Sequence, residues 1–280
     1  MRKYAVGVYE CANGLRNNSA ERNSSMENAP IRFTAEIADI PFTMMNVSRQ
    51  TENCLKDYMS RKEPLFVIDL ADNKCSEFRE TTRKWLKETL EPAISRDEEE
   101  AFLEEVTIKR MLEIKFNSYG AFHFHSSAVC YDGEAYLFTA PSGTGKSTHT
   151  RLWRERFGDR VWMINDDRPY LRVYDNGIRV YGAPWQGKHD LGKNGSAPLK
   201  AIAWLVRGAE NHIEPLLQTD AFPVVMRETV VTFPDKTLME QRMQLIKRFL
   251  ERASFYKLRC NMEPEAVEVA LRGMKYGELR

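Results

Sequence analysis

The chain has 280 residues, and its 41 basic and 40 acidic side chains nearly cancel. A net charge of +1 excludes a general field for holding nucleic acid, so any anion must be bound by a local site. Hydrophobic residues make up 42%, enough to bury a core, and the five cysteines (Cys11, Cys54, Cys75, Cys130, Cys260) are scattered, odd in number and in no CxxC pair. That pattern argues against a disulfide framework or structural zinc and fits a reducing cytoplasm.

Residues 4 to 10, after Met-Arg-Lys, are too short for a signal-peptide core, and no apolar run approaches a membrane span. The expectation is a cytoplasmic protein with neither membrane nor nucleic acid as a partner. A homo-oligomer is compatible with the sequence.

Residues 11–29 are Asn- and Ser-rich with no helical or strand period, and 1–29 reads as a flexible segment. A small α+β domain follows over 30–95. Ile31, Phe33, Ala35 and Ile37 alternate with polar residues as a half-buried strand. Pro41 to Val47 and Leu65 to Leu70 read as further strands, Arg49 to Arg61 as a helix, and Phe78 to Leu90 as an amphipathic helix closed by Pro92. A linking helix is expected over 96–118, where Ser95 and Glu98 form a capping box and Asp97 to Glu100 favour the helix N-terminus.

The second domain spans 119–280. Ala121 to Cys130 and Glu134 to Thr139 read as strands around an Asp132-Gly133 turn. A helix from Lys146 to about Arg156 follows, then a strand from Arg160 to Ile164 and a hairpin of Tyr170 to Tyr174 with Ile178 to Tyr181. Lys200 to Val206, a helix at Leu238 to Ala253, a strand at Phe255 to Leu258 and a helix at Glu265 to Met274 complete the chain. The fold class is α/β of the α+β kind.

Between the strand ending at Thr139 and the helix lies Ala140-Pro-Ser-Gly-Thr-Gly-Lys-Ser147. Polyphosphate needs many backbone donors brought close without side chains in the way, converging at a helix N-terminus. Gly143 and Gly145 free the backbone, Lys146 places a charge against the outer phosphates, and Ser147 offers a hydroxyl to the metal. The phosphate contacts run through Ser142, Gly143, Thr144, Gly145, Lys146, Ser147 and Thr148. The motif usually opens with glycine, and Ala140 stands there instead. The ligands expected are ATP and Mg2+.

The run Val161 to Ile164 ends in Asp166-Asp167 just beyond Asn165. A carboxylate at the end of a neighbouring strand helps to hold the metal in P-loop proteins, and a second can take the proton from an attacking hydroxyl. In Phe122-His-Phe-His-Ser-Ser127, strand alternation would place His123, His125 and Ser127 on one face. No third metal ligand accompanies the histidines, and His123 reads as structural. Lys188 and Lys193, in a Gly- and Pro-containing loop with aromatics, read equally as closing over a phosphate or an acidic substrate or as solvated lysines. Arg151, Arg154 and Arg156 read as a solvated helix face.

Together, His125, the turn at Asp132-Gly133, Ser142 to Ser147 and Asp166-Asp167 resemble the kinase domain of HPr kinase/phosphorylase, itself related to phosphoenolpyruvate carboxykinase. The resemblance covers about Tyr119 to Val206. It implies a P-loop on a mixed, largely antiparallel sheet. Carried over residue by residue, it implies Lys146 on the phosphates, Ser147 and Asp167 on the metal, Asp166 as acid/base and His125 beside the reacting phosphates. The activity implied is ATP-dependent phosphorylation of a serine-like hydroxyl on an unidentified small molecule, peptide or protein. The alternative reading is a sensor or scaffold that binds ATP without turnover.

Overall fold

The computed structural model describes residues 31–89, 95–187, 191–229 and 236–277. The segment 1–29, Pro92 and Lys188 lie outside the described residues. The chain divides into two compact units, Met1–Lys115 and Phe116–Arg280.

In the first unit, β1 (Ile31–Ile37) and β2 (Ile40–Val47) form an antiparallel hairpin, and β3 (Val67–Asp69) adds in parallel to β2. Ala38 and Asp39 both take φ of 56°, the left-handed geometry that suits the twist of a two-residue hairpin. The expected helix at 49–61 divides into α1 (Arg49–Cys54) and a 3-10 turn at Lys56–Tyr58. Two helices, α2 (Asn73–Thr89) and α3 (Arg96–Asn117), bury Leu86, Phe102 and Leu103 together. They are cross-braced by Arg79 to Glu100 at 2.8 Å and by Arg83 to Glu99 and Glu100 at 3.0 and 2.7 Å. The capping box forms as read: Ser95 N–H donates to Glu98 at 2.9 Å and Glu98 N–H to Ser95 Oγ at 3.3 Å.

The second unit is built on a nine-stranded sheet. Its strands are β4 (Ala121–His123), β5 (Ser127–Tyr131), β6 (Glu134–Thr139), β7 (Val161–Asn165), β8 (Tyr170–Tyr174), β9 (Gly177–Tyr181), β10 (Ser196–Arg207), β11 (His212–Pro215) and β12 (Phe255–Cys260). They run in the order β4-β8-β9-β10-β6-β5-β7, with β12 pairing β10 and β11. Within this sheet, among the described residues, only β10 with β6 and β10 with β12 pair in parallel, so the sheet is mixed and largely antiparallel.

Both faces of the sheet are covered, which is why β6 reads as a continuous apolar run. Leu137, Ile202 and Phe122 join Leu245, Ile246 and Phe249 of α6 (Lys236–Arg252) on one side. Tyr136, Phe138 and Val129 join Leu152 and Trp153 of α4 (Lys146–Phe157) and Val267 of α7 (Glu265–Leu271) on the other. Among the described residues no helix is long and apolar enough to cross a membrane.

Two findings correct the sequence reading. The strand expected over 121–130 breaks at Phe124-His125-Ser126, because β4 pairs with β8 whereas β5 pairs with β6 and β7. At the break the backbone N–H groups go elsewhere: Phe124 to Pro169 O at 3.1 Å, His125 to Glu228 O at 3.1 Å and Ser126 to Asp167 O at 2.9 Å. Second, β11 and α5 (Gln218–Thr229) carried no legible signal, and Pro223 inside α5 disguises the helix.

Candidate nucleotide site

β5 runs antiparallel to both β6 and β7, so β6 and β7 point the same way, and β10 is parallel to β6. The carboxyl ends of all three strands therefore reach one edge of the sheet. β6 delivers the loop 140–147 there, β7 delivers Asp166-Asp167, and the break before β5 delivers His125. Strand spacing sets β6 and β7 about 10 Å apart across β5.

The loop turns at Gly143 and Gly145, with φ of 75° and 120°, values that L side chains rarely adopt. A methyl group added at either would meet nothing within 4 Å, so the turn surrounds open space at the N-terminus of α4. Such a turn at the start of a helix fits a phosphate. Ala140, at the usual glycine position, is fully buried, and its carbonyl accepts from Lys146 Nζ at 2.9 Å. Arg207, at the end of β10, donates to the Gly143 carbonyl at 2.6 Å and ties the loop to the sheet. Ser142 and Ser147 are exposed.

Asn165, which the sequence reading passed over, is fully buried and organises the acidic turn. Its side-chain oxygen accepts from Asp167 N–H at 2.9 Å and Arg168 N–H at 2.7 Å, and its amide donates to the Ala183 and Trp185 carbonyls at 3.3 and 3.2 Å. A polar residue ending a buried strand was the available signal. Asp166 is 7% exposed; its Oδ1 accepts from Gly187 N–H at 2.6 Å and its carbonyl from Ser127 Oγ at 3.0 Å. Asp167 is 31% exposed, and its Oδ1 lies 3.5 Å from His125 Nε2.

Thr139, the last residue before the loop, donates its hydroxyl to the His125 carbonyl at 3.1 Å. The other ring nitrogen of His125, Nδ1, lies 2.9 Å from Oε2 of Glu228 on α5. Glu228 is buried, and Arg227 Nε donates to its second oxygen at 2.6 Å. Burial pushes this carboxyl up, but hydrogen bonds from His125 and Arg227, with the Arg227 charge, outweigh it and hold the group below the ordinary glutamate value. His123 stands apart from His125: its Nε2 is 3.1 Å from Arg168 Nη1. Lys193 lines a pocket beside β7 with Asp159, Val161 and Trp162, and its backbone N–H donates to the Ile164 carbonyl at 3.3 Å.

Among the described residues no three His, Cys, Asp or Glu side chains are grouped to hold a metal ion on their own. Magnesium beside a nucleotide asks for less, since phosphates and waters fill most of its six positions. An exposed serine hydroxyl at the start of α4 and a part-exposed carboxylate at the end of β7 fit that demand.

No family model matches the chain, and no curated protein matches its sequence. Among solved structures it is similar to the Hpr(Ser) kinase/phosphatase from Coxiella burnetii, at 13% identity and a TM-score of 0.26, over 45% of this chain and 88% of that one. At that level the likeness is distant and fixes neither fold nor activity.

Proposed function

We propose that the chain binds ATP with magnesium at the loop 140–147 and transfers the γ-phosphoryl group to a serine-like hydroxyl. The observation that carries this reading is the convergence, on one sheet edge, of an open glycine cradle with Asp166, Asp167 and His125. Loop amides from Ser142 to Thr148 and Lys146 would take the phosphates. Ser147 and Asp167 would hold the magnesium, which when bound neutralises charge on the β- and γ-phosphates. Asp166 would accept the proton as the hydroxyl oxygen bonds to phosphorus and the bond to the ADP oxygen breaks. His125, beside Asp167, would address the reacting phosphates.

A second reading, ATP binding without transfer, draws support from the slight exposure of Asp166. Single-turnover transfer from labelled ATP, screened over hydroxyl acceptors, separates the two. Transfer above the hydrolysis background establishes the kinase; tight ATP binding with no transfer to any acceptor establishes the sensor.

A further inference from the structure

We infer that Glu228 is a positioning residue for His125, fixing which ring nitrogen carries the proton and where the other points. This inference rests on the proposed nucleotide site, in which His125 addresses the phosphates. Glu228 holds His125 twice, by the side-chain contact at 2.9 Å and by its own carbonyl, which accepts the His125 backbone N–H at 3.1 Å. The ring thus hangs from α5, which the buried Ala221 and Val225 seat on the sheet.

A neutral imidazole has one N–H. Donation to an ionised carboxylate places it on Nδ1 and leaves Nε2 as the nitrogen able to act. Nε2 is the atom 3.5 Å from Asp167 Oδ1, on the side where the loop and the acidic turn converge. A carboxylate that is 5% exposed is costly to bury and gains no clear stability over an apolar side chain. Its presence is accounted for by what it orients. Carboxylates play this part behind many working histidines, fixing tautomer and ring angle together.

The test uses the full chain with histidine labelled at its ring nitrogens and two variants, Glu228→Met and the near-isosteric Glu228→Gln. Long-range proton–nitrogen NMR should show His125 as the Nδ1–H tautomer in the wild type, mixed in Glu228→Gln and without that preference in Glu228→Met. Single-turnover transfer should fall about 10- to 100-fold in Glu228→Met, with ATP affinity kept. Combined with His125→Ala, the second substitution should add little, because both remove one unit. A variant that melts lower but keeps the wild-type tautomer and rate overturns the inference and leaves Glu228 a packing residue. A wild-type protein that fails to bind ATP overturns the nucleotide reading instead, while the NMR result still decides whether Glu228 sets the ring.

Discussion

The backbone N–H of Gly187 donates to Oδ1 of Asp166 at 2.6 Å, and a methyl group added at residue 187 would come within 2.9 Å of Oδ2 of the same carboxylate. That approach is closer than a Cβ tolerates, so Gly187→Ala must displace Asp166 or the loop. Displacements well under 1 Å matter in phosphoryl transfer, where positioning supplies most of the rate. We expect transfer to fall about 10- to 100-fold while calorimetry shows ATP affinity unchanged. Unaltered transfer would mean that Asp166 has no catalytic part.

Lys146→Ala removes the charge that the proposed function places on the phosphates. Loss of a single preorganised donor of this kind typically costs about 10²- to 10³-fold in rate. Calorimetry and turnover should both register it. A variant with wild-type ATP affinity and rate is incompatible with phosphate binding at the loop.

Asp166→Asn keeps the size of the side chain and removes the base. The carbonyl oxygen of asparagine can still accept from Gly187 N–H, so the loop should stay in place. ATP binding should survive on the loop amides, Lys146 and Ser147, while transfer drops by about 10²- to 10⁴-fold. Equal transfer rates for variant and wild type would remove the base and favour the sensor.

His149 on α4 predicts an acid sensitivity. It is buried, its Nε2 accepts from Trp153 Nε1 at 3.1 Å, and it packs edge-on to Phe138. Burial pushes its pKa down from 6.5 to about 3. The unfolded chain then binds more protons than the folded one between those two values, so stability present above pH 6.5 is lost as pH falls towards 3. The loss is about 1.4 kcal/mol per pH unit below 6.5. His149→Gln keeps an acceptor for Trp153 without titrating. From pH 7 to 5 its melting temperature should fall less than that of the wild type, and parallel falls would show that His149 is not buried neutral.

The glycine turn at 140–147, between a strand and a helix, was legible in the sequence because it is local. Its glycines, lysine and serine are contiguous, and a strand before and a helix after are all the context that such a cradle needs. The Asp132-Gly133 hairpin and the Ser95–Glu98 capping box were legible for the same reason: two to four neighbouring residues satisfy one another. The mixed, largely antiparallel sheet was expected from the resemblance and is what the strands form.

Tertiary structure decided the rest. Alternation would have set His123 and His125 on one face, but the chain changes pairing partners at Phe124, and that change sends them apart. His123 goes to Arg168, and His125 goes to Asp167 and Glu228. Glu228 lies 103 positions from His125, on a helix hidden by Pro223. Gly187 lies 21 positions from Asp166. Such contacts leave no period in the sequence, because they arise where separate strands end on one sheet edge. Hydrogen bonds between distant segments depend on that shared edge, which strand order alone creates.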